Sequence, residues 1–490
     1  MPKETIRNVF ASQSRSLWLL AGIAVLYALV YSCLLILRFR TFSIGGLDLA
    51  DYGQTIWKLA HGQSPWITLI GTHALADHFT VLWYPLALVI KPVLSPYSLL
   101  ILHCACIAGV GVVIYRLVQR MLGDTGPALI FALAYLFSQY TQRVLFSPIH
   151  PESFSGLLIA LALLFMMEEK VALYALFALL SITSNEDVGL YFIPVGVYLA
   201  YGKKRAVWGW ITIMGSAVWL FMIFQFKSML GPDTQNHLSR FALLGGSFAE
   251  IGRNLLLRPW IFIGALFNPD KLLADFQMFL QAGFLPLLSG WGMMLVAVPV
   301  LFKSLTNHVG MYRFWDHYSM AVLPFMWLAA AMGLGKAMKR KTNAPEAVPP
   351  SWPRKLLWGM LGVNILVQAA LPYSPLSFKF DWKQLITNTH TRAGWNLIKR
   401  IPAEASVLTQ ERLVQAVAMR PEVYCIHYPG QVPGGVPKWQ PEYVLFDTAR
   451  FKGNWLETDL RAADAFFAAS DQYQVMAAED GWIVYKRISE

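Results

Sequence analysis

The sequence predicts an α-helical polytopic membrane protein, with about eleven transmembrane helices, that ends in a small α/β domain. Three observations carry that prediction. Of 490 residues, 56% are hydrophobic and only 14% are charged, against about a quarter charged in an ordinary soluble domain. The apolar residues fall in runs near the roughly 20 residues that a helix needs to cross a bilayer. After residue 373 these runs stop, and short strand-like and helix-like segments alternate.

The runs are 17–37, 97–118, 126–143, 153–168, 170–184, 186–201, 206–226, 272–288, 290–303, 317–335 and 355–372. The first is too long for the core of a cleavable signal. Arg38 and Arg40 follow it in place of small residues, so it reads as an uncleaved span with the N-terminus inside. Lysine and arginine gather in Lys3/Arg7/Arg15, Arg116/Arg120, Lys203/Lys204/Arg205 and Lys336/Lys339/Arg340/Lys341. Short basic loops mark the cytoplasmic side, and these clusters fall where eleven spans put that side. The net charge of +11 therefore reports topology, and nucleic acid is not an expected partner. The stretch 79–95 is apolar but carries Pro85 and Pro92. It reads as a helix lying in the interface, anchored by Trp83 and Tyr84; a twelfth span is the alternative. The Pro-rich 342–354 reads as a cytoplasmic loop.

In the tail, "SVLTQ", "VYCIH", "YVLFDT" and "WIVYKR" read as strands, while "TRAGWNLIKRI" and "DLRAADAFFAAS" read as helices, the pattern of a small α/β domain. The expected organisation is a membrane part over 1–375, with a first outward loop at 38–96, and a soluble part over 376–490 on the outer face. Cys33, Cys104, Cys106 and Cys425 form no metal spacing and no disulfide framework.

The outer ends of the spans collect unusual residues. The first loop holds Asp48, Asp51, Asp77 and His78. "SPIHPES" brings His150 and Glu152, "TSNEDVG" brings Glu186 and Asp187, and "RFWDHYS" brings Arg313, Asp316, His317 and Tyr318. Singly, each has a plain structural reading: Asp48 or Asp187 can cap the helix that follows, and His150 before Pro151 can be a turn residue. Glu186 and Asp187 stand apart, because almost no loop separates their spans. Ionisable groups at that depth are functional candidates by default. Acids and histidines beside lipid suit an amphiphilic substrate. A carboxylate can take a proton from an attacking hydroxyl, and Arg, His or a metal held by acids can stabilise a phosphate leaving group. That is the chemistry of sugar transfer from a lipid phosphate.

The blocks "GLDLADYGQTIWKLAHG", "ADHFTVLWYPLALVIKPVLSPYSLLILH", "SPIHPESF", "SNEDVGLYFIPVGVYL" and "HYSMAVLPFMWLAA", with the tail "IPAEASVLTQERLVQAVAMRPEVYCIHYP", follow one another in this order. In this they resemble a family of bacterial and archaeal predicted membrane proteins, domain of unknown function two thousand and seventy-nine. That family is similar in turn to the multi-pass GT-C glycosyltransferases, which have an acid in the first outward loop, an interfacial helix before the second span, and often an outer C-terminal domain. The resemblance implies a transferase in the cytoplasmic membrane that uses a polyprenyl-phosphate sugar. It implies Asp48 as general base, with Asp51 falling where the family is less acidic. Glu186 and Asp187 would orient the acceptor or, with Asp48, hold a divalent cation. His150, His317 and Arg313 would meet the donor phosphate. Asp77, His78, Glu152 and Tyr318 would line the substrate site. Two other readings compete. A transporter or flippase of a lipid-linked glycan predicts ionisable groups near the midplane and two related halves, and neither is visible. A non-catalytic scaffold leaves the acids and histidines unexplained.

Overall fold

The structure is a computed structural model that describes residues 3–147, 149–229, 238–339 and 352–488. The chain sorts into two compact units: residues 1–30, 78–81 and 103–380, and residues 31–77, 82–102 and 381–490. Most of the loop expected at 342–354 lies outside the described residues.

Among the described residues four helices are long and apolar enough to cross a membrane: Ser16–Arg40, Pro96–Leu122, Ala206–Lys227 and Asp316–Met338. Shorter apolar helices run over Thr125–Leu136, Pro151–Met167, Val171–Ile182, Val188–Gly202 and Gly290–Ser304. The chain is a multi-pass membrane protein with a helical membrane part and a small sheet domain in its C-terminal part.

In the first unit, the apolar run 126–143 is two helices, Thr125–Leu136 and Gln139–Phe146. The Ser138 hydroxyl caps the second by accepting from the amides of Tyr140 and Thr141. A broken helix among apolar neighbours must satisfy its freed carbonyls from inside the protein. Here Tyr27 and Gln142 donate to the Leu136 carbonyl at 2.6 and 2.9 Å, and Gln368 donates to that of Phe137 at 2.6 Å. The run 272–288 also breaks, where Gly283 and Phe284 take φ of 59° and 53°. The helices Val188–Val197 and Ala206–Met229 pack closely because glycine faces glycine: a Cβ on Gly196 would lie 2.7 Å from the Gly209 carbonyl oxygen. Small residues permit such approach between helices that have no hydrophobic driving force between them.

The second unit contains the stretch around residue 85. It forms a helix of only eight residues, Trp83–Ile90, followed by a 3-10 turn at Lys91–Val93. Pro92 supplies no amide for a longer helix, and eight residues fall well short of a span. A small hairpin pairs β1 (Trp66–Ile67) with β2 (Thr72–His73). The tail forms β3 (Val407–Gln410), β4 (Val423–Ile426), β5 (Tyr443–Asp447), β6 (Tyr473–Glu479) and β7 (Trp482–Arg487). Their order is β4-β3-β5-β7-β6. β3 lies parallel to both β4 and β5, and the helix Glu411–Val417 makes the β3–β4 crossover; β7 is antiparallel to β5 and β6. One face of the sheet shares its core with the first loop: Phe42, Ala50, Ile67, Leu69 and Ala74 join Val407, Leu413 and Trp482. Polar contacts fix the register of that packing. The Thr68 hydroxyl donates to the Val423 carbonyl at 2.6 Å and accepts from its amide at 3.0 Å, while Gln54 donates to Thr68 at 2.8 Å.

Candidate functional site

Within the first unit, a set of ionisable side chains gathers from the ends of several helices. His78 comes from the short segment 78–81. His150 and Glu152 stand at the start of the helix Pro151–Met167, and Glu186 and Asp187 directly precede Val188–Val197. Lys227 lies in the last turn of Ala206–Met229, and Lys303 in that of Gly290–Ser304. His317 and Tyr318 occupy the 3-10 turn Asp316–Ser319, just ahead of Leu323–Lys339. Helix ends leave backbone groups unsatisfied, so polar side chains concentrate there; these side chains, however, engage one another.

The contacts form a circuit. The Glu186 carboxylate accepts from the Phe79 amide at 3.1 Å and meets His78 Nδ1 at 3.2 Å and Lys227 Nζ at 3.4 Å. The His78 ring lies edge-on to His150, with centroids 5.3 Å apart. His150 Nδ1 contacts the Glu152 carboxylate and its ring stacks on His317, with centroids 3.4 Å apart and planes 4° from parallel. His317 packs on the Tyr318 ring, and Lys303 Nζ lies 5.4 Å from that ring's centroid. Lys303 Nζ also donates to the Asp187 carboxylate at 2.7 Å, which accepts the Tyr191 hydroxyl at 2.7 Å. Asp187 follows Glu186 in the chain, which closes the loop.

The plain structural readings do not describe these residues. Asp187 sits at the cap of Val188–Val197 without making a capping bond, because its carboxylate goes to Lys303 and Tyr191. His150 stands at the cap of Pro151–Met167, also without a side-chain cap. Buried charge is costly unless it is paired and hydrogen-bonded. Lys303, with its side chain 2% exposed, and Asp187, at 8%, meet that requirement by meeting each other. Backbone conformation helps to place His317. Phe314 and Asp316 both take left-handed φ, 53° and 51°, an uncommon geometry for non-glycine residues that clusters at functional sites. Gly156 leaves room beside this turn: a Cβ there would come within 2.6 Å of Met320 Cε and 3.0 Å of the Met320 carbonyl oxygen.

The structure thus brings together His78, His150, Glu152, Glu186, Asp187, His317 and Tyr318. It places Arg313 elsewhere: its guanidinium pairs with the exposed Asp270 at 3.1 Å and lies over the Trp315 ring. Asp48, Asp51 and Asp77 belong to the second unit. Asp48 opens the helix Asp48–Ala60, with Leu47 at the cap position, while Asp51 is buried one turn on. Asp77 ends the short helix Ala74–Asp77. Sequence reasoning missed Lys227, Lys303 and Tyr191. The available signal was a single cation closing each of two apolar runs that end on the same side as the acids.

Chemically, the cluster offers ammonium and imidazole groups for a phosphate, and carboxylates that hold those groups in place. One subset also suits a cation. His150, Glu152 and His317 are all buried, and their ligand atoms lie within 4.8 Å of one another.

The family model described as "Predicted membrane protein (DUF2079)" matches residues 38–484. Among solved structures, the fold is similar to two crystal structures of ArnT from Cupriavidus metallidurans. With the structure bound to undecaprenyl phosphate the TM-score is 0.51, at 12% identity over 96% of this chain and 98% of the other. With the apo structure the TM-score is 0.50, with the same identity and coverage. A comparison with curated proteins finds no match.

Proposed function

The chain belongs to the DUF2079 family of predicted membrane proteins, and we propose that it is a GT-C-type glycosyltransferase. In this reading it moves a sugar from a polyprenyl-phosphate donor to an acceptor on the outer side of the cytoplasmic membrane. The observation that carries the proposal is the circuit of His78, His150, Glu152, Glu186, Asp187, Lys227, Lys303 and His317 among apolar helices. Ionisable groups within membrane segments are functional candidates by default. The fold shared with ArnT, one of whose structures holds undecaprenyl phosphate, supports the choice of lipid.

The roles follow from charge. Transfer forms a bond from the acceptor oxygen to the anomeric carbon as the carbon–oxygen bond to phosphate breaks, and polyprenyl phosphate leaves. Lys227, Lys303 and the histidines offset the charge that grows on the phosphate. Glu186 and Asp187 hold the two ammonium groups in position and orient the acceptor. Asp48 takes the acceptor's proton as general base, and a single displacement inverts the sugar carbon.

The test is donor turnover by the purified full-length protein, with a small panel of polyprenyl-phosphate sugars and the Asp48→Asn variant alongside. Turnover by wild type that the variant loses by about a hundredfold or more, the range for a lost general base, is the expected result. Turnover unchanged in the variant removes Asp48 from that role. Failure of every donor to bind or react overturns the transferase.

A further inference from the structure

We propose that His150, Glu152 and His317 form a binding site for a divalent cation of the zinc class. The inference concerns the site's own chemistry and does not require the transferase reading.

Three observations support it. The first is the donor set. Two imidazoles and one carboxylate, with ligand atoms within 4.8 Å of one another and all three side chains buried, match the borderline nitrogen and oxygen ligands that zinc prefers. The second is packing. His150 and His317 stack face to face, with centroids at 3.4 Å and planes 4° from parallel. Aromatic rings left to themselves favour offset or edge-on arrangements, as His78 adopts against His150. The stacking keeps both imidazoles beside the Glu152 carboxylate. Among the described residues the buried Nδ1 of His317 also has no hydrogen-bond partner. The third is charge. Glu186 has Lys227 and Asp187 has Lys303, whereas among the described residues the ion-pair contact of Glu152 is with His150. That carboxylate is 2% exposed, and a buried carboxylate needs a full countercharge. A divalent cation supplies it. Glu186 and Asp187 already hold an ammonium group each, through Oε1 and Oδ2. Three protein ligands leave a fourth position for water or an anionic oxygen.

The experiment uses full-length protein in lipid nanodiscs, with any affinity tag removed. The protein is stripped with a chelator, dialysed against Zn²⁺ and analysed for metal by mass spectrometry, with no sugar donor present. Wild type is expected to retain one zinc per chain, and Glu152→Gln and His317→Ala to bind at least tenfold more weakly. Glu169→Gln, at an exposed pair with Arg205, should behave as wild type. A second measurement covers variants that fold poorly. Co²⁺ loaded into His317→Cys should show a thiolate-to-cobalt charge-transfer band that wild type lacks. No zinc retained by wild type, or zinc retained equally by Glu152→Gln and His317→Ala, overturns the proposal. These readouts are independent of donor turnover, so a failed metal site and a failed transferase give different results.

Discussion

Each unit buries a carboxylate beside a histidine, and the two arrangements differ in what they leave over. In the tail domain, Asp447 is fully buried at the end of β5, where it meets His390 Nε2 at 3.0 Å and Arg450 Nε at 3.1 Å. His390 Nδ1 lies 2.8 Å from the Asp480 carbonyl oxygen and 3.3 Å from that residue's carboxylate, which is 51% exposed. This network alternates acid and base and opens to water at its edge, and it ties β5 to the turn before β7. In the membrane unit, carboxylates and ammonium groups also pair, but an imidazole stacks on an imidazole beside an acid. Stability alone does not call for that. Alternating partners describe a scaffold, whereas crowded groups of one type describe a place where something else binds.

The comparison breaks first at Lys303. In Lys303→Met, the Asp187 carboxylate stays buried with only the Tyr191 hydroxyl. Removing one member of a buried pair costs about 3–5 kcal/mol, and the variant should lose that stability together with donor turnover. Thermal unfolding of the purified protein checks the first, and the Lys303→Met/Asp187→Asn double variant should recover much of it. Recovery of turnover as well as stability would make the pair structural. Next in size is Asp447→Asn. Asparagine keeps the shape and loses the charge opposite Arg450, which is 29% exposed and therefore partly solvated. The expected cost is about 1–2 kcal/mol, with donor turnover unchanged. A tenfold loss of turnover would end the division between scaffold and site.

Much of this was legible in sequence. The membrane class followed from the long apolar runs, and the α/β tail from four short strand-like segments. Glu186 and Asp187 stood out because almost no loop separates their spans, and His150, Glu152 and His317 because they gather at span ends expected on the same side. Lys227 and Lys303 did not, since one lysine closing an apolar run looks like an ordinary membrane anchor; only the partners it meets in space set it apart. The division of one candidate span at Ser138 was equally hidden, because Tyr27, Gln142 and Gln368 satisfy the break from distant parts of the chain. Nor does any local pattern show that Phe42, Ala50 and Ile67 share a core with the tail strands. That packing rests on pairs such as Thr68 with Val423, 355 residues apart.

The smallest expected effect concerns pH and the tail unit. Burial lowers the pKa of His427, against opposing contributions from the Cys425 carbonyl and Glu411, and burial likewise lowers that of His73. The sign follows from linkage. A histidine whose folded pKa lies below its unfolded value of about 6.5 binds its proton more weakly when folded. Folded stability is then full above that value, declines as pH falls through it, and levels off below the folded pKa. Thermal unfolding of the full-length protein at pH 7.5, 6.5 and 5.5 should therefore show a decline on the acidic side. His427→Gln should remove part of it. A variant profile identical to wild type would assign the decline to other groups. An unchanged midpoint in wild type would mean that His427 and His73 reach water freely, and the contrast with the enclosed imidazoles of the membrane unit would then be sharper still.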